Sequence, residues 1–130
     1  MGGVGGVGGG RDEALSRVRA SRLGLPEVTE RLSHGAPTWF VGGKRVFVTG
    51  WFDGHHDIEY PHLWCAASPG VQEDMVETEP DRFFRPPYVG HRGWIGVRLD
   101  VGVDWAEIDE ICRDAYRAVA PKRLVRLLDE

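Results

Sequence analysis

Between Trp94 and Val119 the hydrophobic period of the chain changes from about two to about 3.6 residues, and nothing else in the sequence constrains the fold as strongly. In GWIGVRLD (93–100), Ile95, Val97 and Leu99 fall on one face of an extended strand, while Trp94, Gly96 and Arg98 fall on the other. After Asp104, residues Trp105, Ile108, Ile111, Cys112, Ala115, Tyr116 and Val119 recur at three- and four-residue spacing, which draws a single apolar stripe along a helix. Asp104 with Glu107 has capping-box character at the start, and Pro121 stops the helix. A strand with one aliphatic face and a helix with one aliphatic stripe bury both surfaces by packing helix on sheet. The expectation is an α/β (α+β) domain of two layers, with Ile95, Val97, Leu99, Ile108, Ile111, Cys112 and Val119 in one core.

Upstream, TWFV, Gly42-Gly43 and KRVFVTGWF predict a hairpin with a glycine turn. A third strand is predicted over 62–67. Ser68 can cap a helix with Pro69 in its first turn, running through Met75 and Val76 and stopping before Pro80. Phe83 and Phe84 begin an extended segment interrupted by Pro86 and Pro87. With a first helix from Asp12 to about Arg22 and a brief one in KRLVRLL, the predicted order is α-β-β-β-α-β-β-α: an antiparallel sheet of about five strands with helices on one face. The opening GGVGGVGGG has almost no side chain to bury. Residues 1–10 are therefore expected to be a disordered leader and 11–130 a single domain. Gly3, Gly5 and Gly8 match the dinucleotide-fingerprint spacing, but no strand can precede them.

No run of about 18 apolar residues occurs, and the N-terminus lacks a basic segment followed by an apolar stretch. Neither membrane insertion nor secretion is expected, and the cytoplasm is the expected location. Cys65 and Cys112 form no close sequence pair of the kind zinc sites and redox motifs use, which fits two buried thiols in a reducing compartment. A net charge of −4 argues against general phosphate binding, but Arg82, Arg85, His91, Arg92 and Arg98 fall in a window without Asp or Glu. These cations alternate with Phe83, Phe84, Tyr88 and Trp94, so they could meet phosphates while the rings stack on bases. Strand parity adds Arg45, Phe47 and Trp51, and Trp64 from the third strand, to the sheet face opposite the core. An open face rich in aromatic residues suits a ligand, a nucleic acid or a second subunit.

The loop DGHHDIEYPH carries Asp53, His55, His56, Asp57, Glu59 and His62, a density of ligands suited to a divalent metal, although adjacent histidines point apart in an extended chain. His55, His56 and Asp57 are its leading metal candidates, set against simple solvation. Neither a G-x-S-x-G elbow nor a P-loop is present, and Ser33-His34 has no orienting acid. No catalytic residue and no cofactor are predicted. Lys122, Arg123 and Arg126 are read as complementing the negative end of the long helix.

LPEVTERLSHGAPTWFV, PPYVG (86–90), GWIGVRLD (93–100) and AYRAVAPKRL (115–124) together resemble the MmcQ/YjbR family, over about Leu25 to Leu124. The resemblance implies a two-layer, CyaY-like α/β fold with an antiparallel sheet. Members commonly carry a DNA-binding label with a double-wing arrangement, and the family brings no established catalytic residues. The leading expectation is a non-enzymatic binding domain that contacts DNA through Arg82, Arg85, Tyr88, His91, Arg92, Trp94 and Arg98. The alternatives are a homodimer formed through the open face, or a small-ligand or metal site at the His55-His56 loop.

Overall fold

The alternation that begins at Thr38 does produce a hairpin, and a strand without any such signal precedes it. The computed structural model describes residues 10–55 and 57–129. In chain order the elements are α1 (Gly10–Leu23), β1 (Val28–Ser33), β2 (Ala36–Val41), β3 (Arg45–Trp51), β4 (His62–Cys65), α2 (Val71–Thr78), β5 (Phe83–Phe84), a 3₁₀ turn (Gly90–Arg92), β6 (Ile95–Arg98), α3 (Trp105–Val119) and α4 (Lys122–Asp129). The strands form one antiparallel sheet in the order β1-β2-β3-β4-β6-β5. The predicted leader lies outside the described residues except for Gly10, which already belongs to α1.

Six strands form where about five were expected, because VTERLS in β1 has no period-two pattern. It is an edge strand whose Leu32 is 71 % exposed, and it is held by pairing along its whole length with β2, from Val28–Val41 to Ser33–Ala36. The connection is a two-residue turn with φ of 54° at His34 and 80° at Gly35, the positive values that a tight hairpin needs at both central positions. The start of α2 also departs from expectation. Its N-cap is Gly70, with no side-chain cap, while Ser68 contributes only its carbonyl, which accepts from the Val71 N–H.

Helix α3 lies across β3 and β4, and α1 packs against α3 and β1. Asp104 caps α3 by accepting from the N–H groups of Ala106 and Glu107. The core joins Val48, Leu63, Cys65, Ile95 and Val97 of the sheet to Ile108, Ile111, Cys112, Ala115 and Tyr116 of α3, with Leu99 buried beside them and Val119 partly buried against them. Tyr116 packs edge-on to Phe47 at 5.7 Å and donates its hydroxyl to the Pro26 carbonyl. Arg22 is fully buried and donates to Asp109 at 2.8 Å. Cys65 and Cys112 are both buried free thiols. Arg123 sits in the first turn of α4 rather than at the end of α3, and pairs with Glu27, whose carboxyl it holds below the usual range.

The parity of β3 is broken by a bulge. Trp39 pairs with Val48 and Phe40 with Val46, so Phe47 is left opposite nothing. Phe47 therefore turns into the helix-covered core rather than onto the open face. Arg45 also departs from expectation, donating to the Val119 carbonyl at the end of α3.

Candidate functional site

Beyond the bulge, β3 presents Thr49 and Trp51 to the face that no helix covers. Cross-strand partners share a face, so Thr38 and Trp64, which pair with Thr49, join them, as do His62, which pairs with Trp51, and Arg31, which pairs with Thr38. Gly96 lies beside Trp64 on β6, and Phe84 of β5 crosses directly over it. A Cβ on Gly96 would meet the Phe84 ring at 2.3 Å, so only glycine lets β5 close down there.

This face is concave. Phe40, Val46 and Thr49 form the floor of a cleft of about 740 Å³, with Trp51 and Trp64 along it, Ser33 and His34 at one end, and His55, Tyr88, Val89 and Trp94 at the other. The wall from Pro86 to Trp94 is folded in by one side chain that no sequence pattern marks. Gln72 of α2 is buried and spends both amide hydrogens, donating from Nε2 to the carbonyls of Gly90 at 2.8 Å and Trp94 at 2.6 Å. Trp94 faces away from the core as expected, yet it is only 4 % exposed, because this wall closes over it.

The polar atoms within and beside the cleft are few. The indole Nε1 groups of Trp51 and Trp64 are buried without a hydrogen-bond partner among the described residues. His62 Nδ1 lies 2.9 Å from the Tyr60 carbonyl, which requires the proton on Nδ1, and burial pushes the imidazole below its ordinary pKa. His55 is brought in by reciprocal backbone bonds with Ile58. Its ring lies 3.9 Å from Trp51, 5.2 Å edge-on from Trp64 and 6.3 Å from Tyr88.

A family model for YjbR matches residues 23–118. The chain belongs to the YjbR family. The match spans every residue that lines the cleft. Among curated proteins none matches the chain. A solved structure of the Deinococcus radiodurans protein DR2400, which carries a DUF419 domain, superposes with a TM-score of 0.70. It is 20 % identical and covers 88 % of this chain and 87 % of its own, a likeness of fold.

The YjbR domain disperses the predicted basic window. Arg82 is drawn to the helical side by Glu79 and Glu107, and Arg98 is held bidentately by Asp100 at 2.7 and 2.9 Å while lying over the Tyr60 ring. The same guanidinium lowers the pKa of Asp100. Arg85 is exposed with its stem packed over Gly90, and His91 is exposed. Arg92 is exposed with its guanidinium 5.3 Å from the Trp94 ring, and Tyr88 stands 69 % exposed at the cleft mouth. Only Tyr88, Trp94 and, through Trp94, Arg92 belong to the cleft. In the histidine loop, Asp53 accepts from Arg11 at 2.6 Å and His55 packs on indoles; Asp57 is exposed, and His56 lies outside the described residues. No group of three His, Cys, Asp or Glu side chains suited to a metal occurs among the described residues. No described helix is long and apolar enough to cross a membrane.

Proposed function

We propose that this YjbR domain is a binding module whose site is the open-face cleft, and that its ligand is a small molecule with a planar aromatic body. The observation that carries this reading is the cleft itself: about 740 Å³ walled by Phe40, Trp51, Trp64 and Trp94, within the size range of small-molecule sites. A duplex contact through residues 82–98 has less support, because Arg82 and Arg98 are already neutralised by carboxylates.

The test is titration with N-phenyl-1-naphthylamine, an uncharged planar probe that brightens in apolar sites. Saturable one-to-one binding is expected, together with its loss in Thr49→Trp, which fills the cleft floor, while the melting temperature stays close to the parent's. Absence of saturation, or binding indifferent to Thr49→Trp, overturns the reading. Mobility shift against single-stranded and duplex DNA at two salt concentrations, with light scattering for mass, reports DNA binding and self-association through the same face; salt-sensitive DNA retention or a dimer broken by Thr49→Trp would displace the small-molecule reading.

A further inference from the structure

We infer that the cleft selects an anion, a planar nitrogen heterocycle bearing a carboxylate or phosphate, and that the imidazole of His55 is the internal stand-in for that heterocycle. This rests on the cleft being a ligand site and goes on to state its chemistry.

The stand-in is visible in the ring geometry. Trp51 and Trp64 lie 5.0 Å apart at 59°, and Tyr88 lies 6.4 Å from Trp64, which makes a three-sided aromatic box. His55 occupies it, tilted on the face of Trp51 and edge-on to Trp64 and Tyr88. These are the offset and edge contacts that aromatic pairs prefer. A flat five-membered nitrogen ring is thus what the box already accommodates, and it arrives on a loop rather than on a strand. A free heterocycle entering the box takes the place of the His55 ring.

The sign of the charge follows from what surrounds the rings. Among the described residues, no Asp or Glu lines the cleft. Two arginines, which do not themselves line the cleft, lie over rings that do: Arg92 over Trp94 at 5.3 Å, and Arg31 over Phe40 at 3.7 Å. They approach from opposite ends, since Arg31 is on β1 and Arg92 immediately precedes the Trp94–β6 segment. Four strand spacings separate β1 from β6, roughly 19 Å. Arg11, Arg19, Arg22, Arg82, Arg98 and Arg123 are tied to carboxylates, while Arg45, Arg85, Arg113 and Arg126 are not, among the described residues, but lie against no aromatic wall of the cleft. Arg31 and Arg92 have no carboxylate partner among the described residues. Arg31 donates to the Gly43 carbonyl, which leaves Arg92, on the wall next to the box, as the principal anion contact. An aromatic box can also hold a cation over its faces, but here two guanidiniums oppose that and no carboxylate favours it. An apolar cleft with cations at its ends strengthens the attraction for an anion relative to open solvent.

Isothermal titration of the full chain with quinoline-2-carboxylate and its neutral isostere quinoline-2-carboxamide, at low salt, tests the inference. The carboxylate is expected to bind about tenfold tighter than the amide, the magnitude of one charge-assisted hydrogen bond. Arg92→Gln should bring the carboxylate-to-amide affinity ratio down to about one. His55→Ala should tighten both, because no internal ring then has to be displaced, and both variants should melt close to the parent. Equal affinities that Arg92→Gln does not alter overturn the anion selectivity and leave the cleft reading standing, as does tighter binding of N-methylquinolinium. Unchanged or weaker binding in His55→Ala overturns the stand-in role. If neither quinoline binds to parent or His55→Ala, the inference fails, and N-phenyl-1-naphthylamine separately decides whether the cleft binds at all.

Discussion

Replacing Gln72 by leucine should cost about 2–4 kcal/mol, and the figure follows from its two hydrogen bonds. The Gly90 carbonyl also accepts from the Gly93 N–H at 3.0 Å, so it keeps one partner and loses a bond of about 1 kcal/mol. The Trp94 carbonyl precedes β6, and Gln72 Nε2 is its donor, so it is left buried and unpaired at about 1–3 kcal/mol. Leucine approximates the volume of glutamine, which keeps cavity formation out of the sum. Gln72→Glu sharpens the reasoning: at neutral pH a carboxylate has no hydrogen to give and faces two carbonyl oxygens, so it should be worse than leucine. It should recover in part on acidification, when a protonated carboxyl can donate one bond. Urea unfolding of the parent and both variants at neutral and mildly acidic pH measures the costs directly. If leucine lies within about 0.5 kcal/mol of the parent, or glutamate is better tolerated than leucine at neutral pH, Gln72 is not what holds the Pro86–Trp94 wall.

Val97→Ala and Ile111→Ala each truncate a buried residue on the helix–sheet interface and should cost about 1–5 kcal/mol by urea unfolding, where near-parent stability would contradict their shared core. Gly96→Ala should destabilise by about 1–3 kcal/mol, because its methyl meets the Phe84 ring; Phe84→Leu should relieve part of the loss, and additivity of the two changes would refute the contact. His62 has its pKa lowered in the folded state from a reference of 6.5, so the unfolded chain takes up the proton more readily. The associated stability is complete above pH 6.5 and declines as pH falls below that value. His62→Phe should flatten the pH dependence between about pH 6.5 and 5 in denaturant titrations, and an unchanged slope would show that the lowered pKa is not felt by the fold.

How far the sequence reaches can be judged from two strands four places apart in the sheet, β6 and β1. The change of period at Asp104 is a local property, and the partners it requires lie within 26 residues of each other, so β6, α3 and their shared core are legible in the bare chain. Strand β1 is not, because its residues bury little and its order comes from backbone pairing with β2, which leaves no mark in side-chain type. The bulge at Phe47 is equally silent in sequence. The extra residue puts Val46 and Thr49 on one face although they are three residues apart, so Phe47 went to the core while Trp51 kept the open-face side that parity assigns it, a decision made between strands.

The chain by itself therefore determined the helix-on-sheet layers and which aliphatic residues seal them, since hydrophobic burial reads composition and period. It also carried the family, in stretches such as PPYVG and AYRAVAPKRL, and the domain match over 23–118 agrees. The basic window looked like one surface because its residues are adjacent in sequence. In the fold, Glu79 just past α2, Glu107 of α3 and Asp100 just past β6 draw Arg82 and Arg98 aside, while a glutamine from α2 bends the wall over Trp94. Trp51, His55, Trp64 and Tyr88 come from four separate segments, and only the closing of the sheet and its loops places the other three rings within 6.4 Å of Trp64. Packing preferences are encoded residue by residue, whereas a site built from long-range contacts exists only once the loops between those residues have been closed.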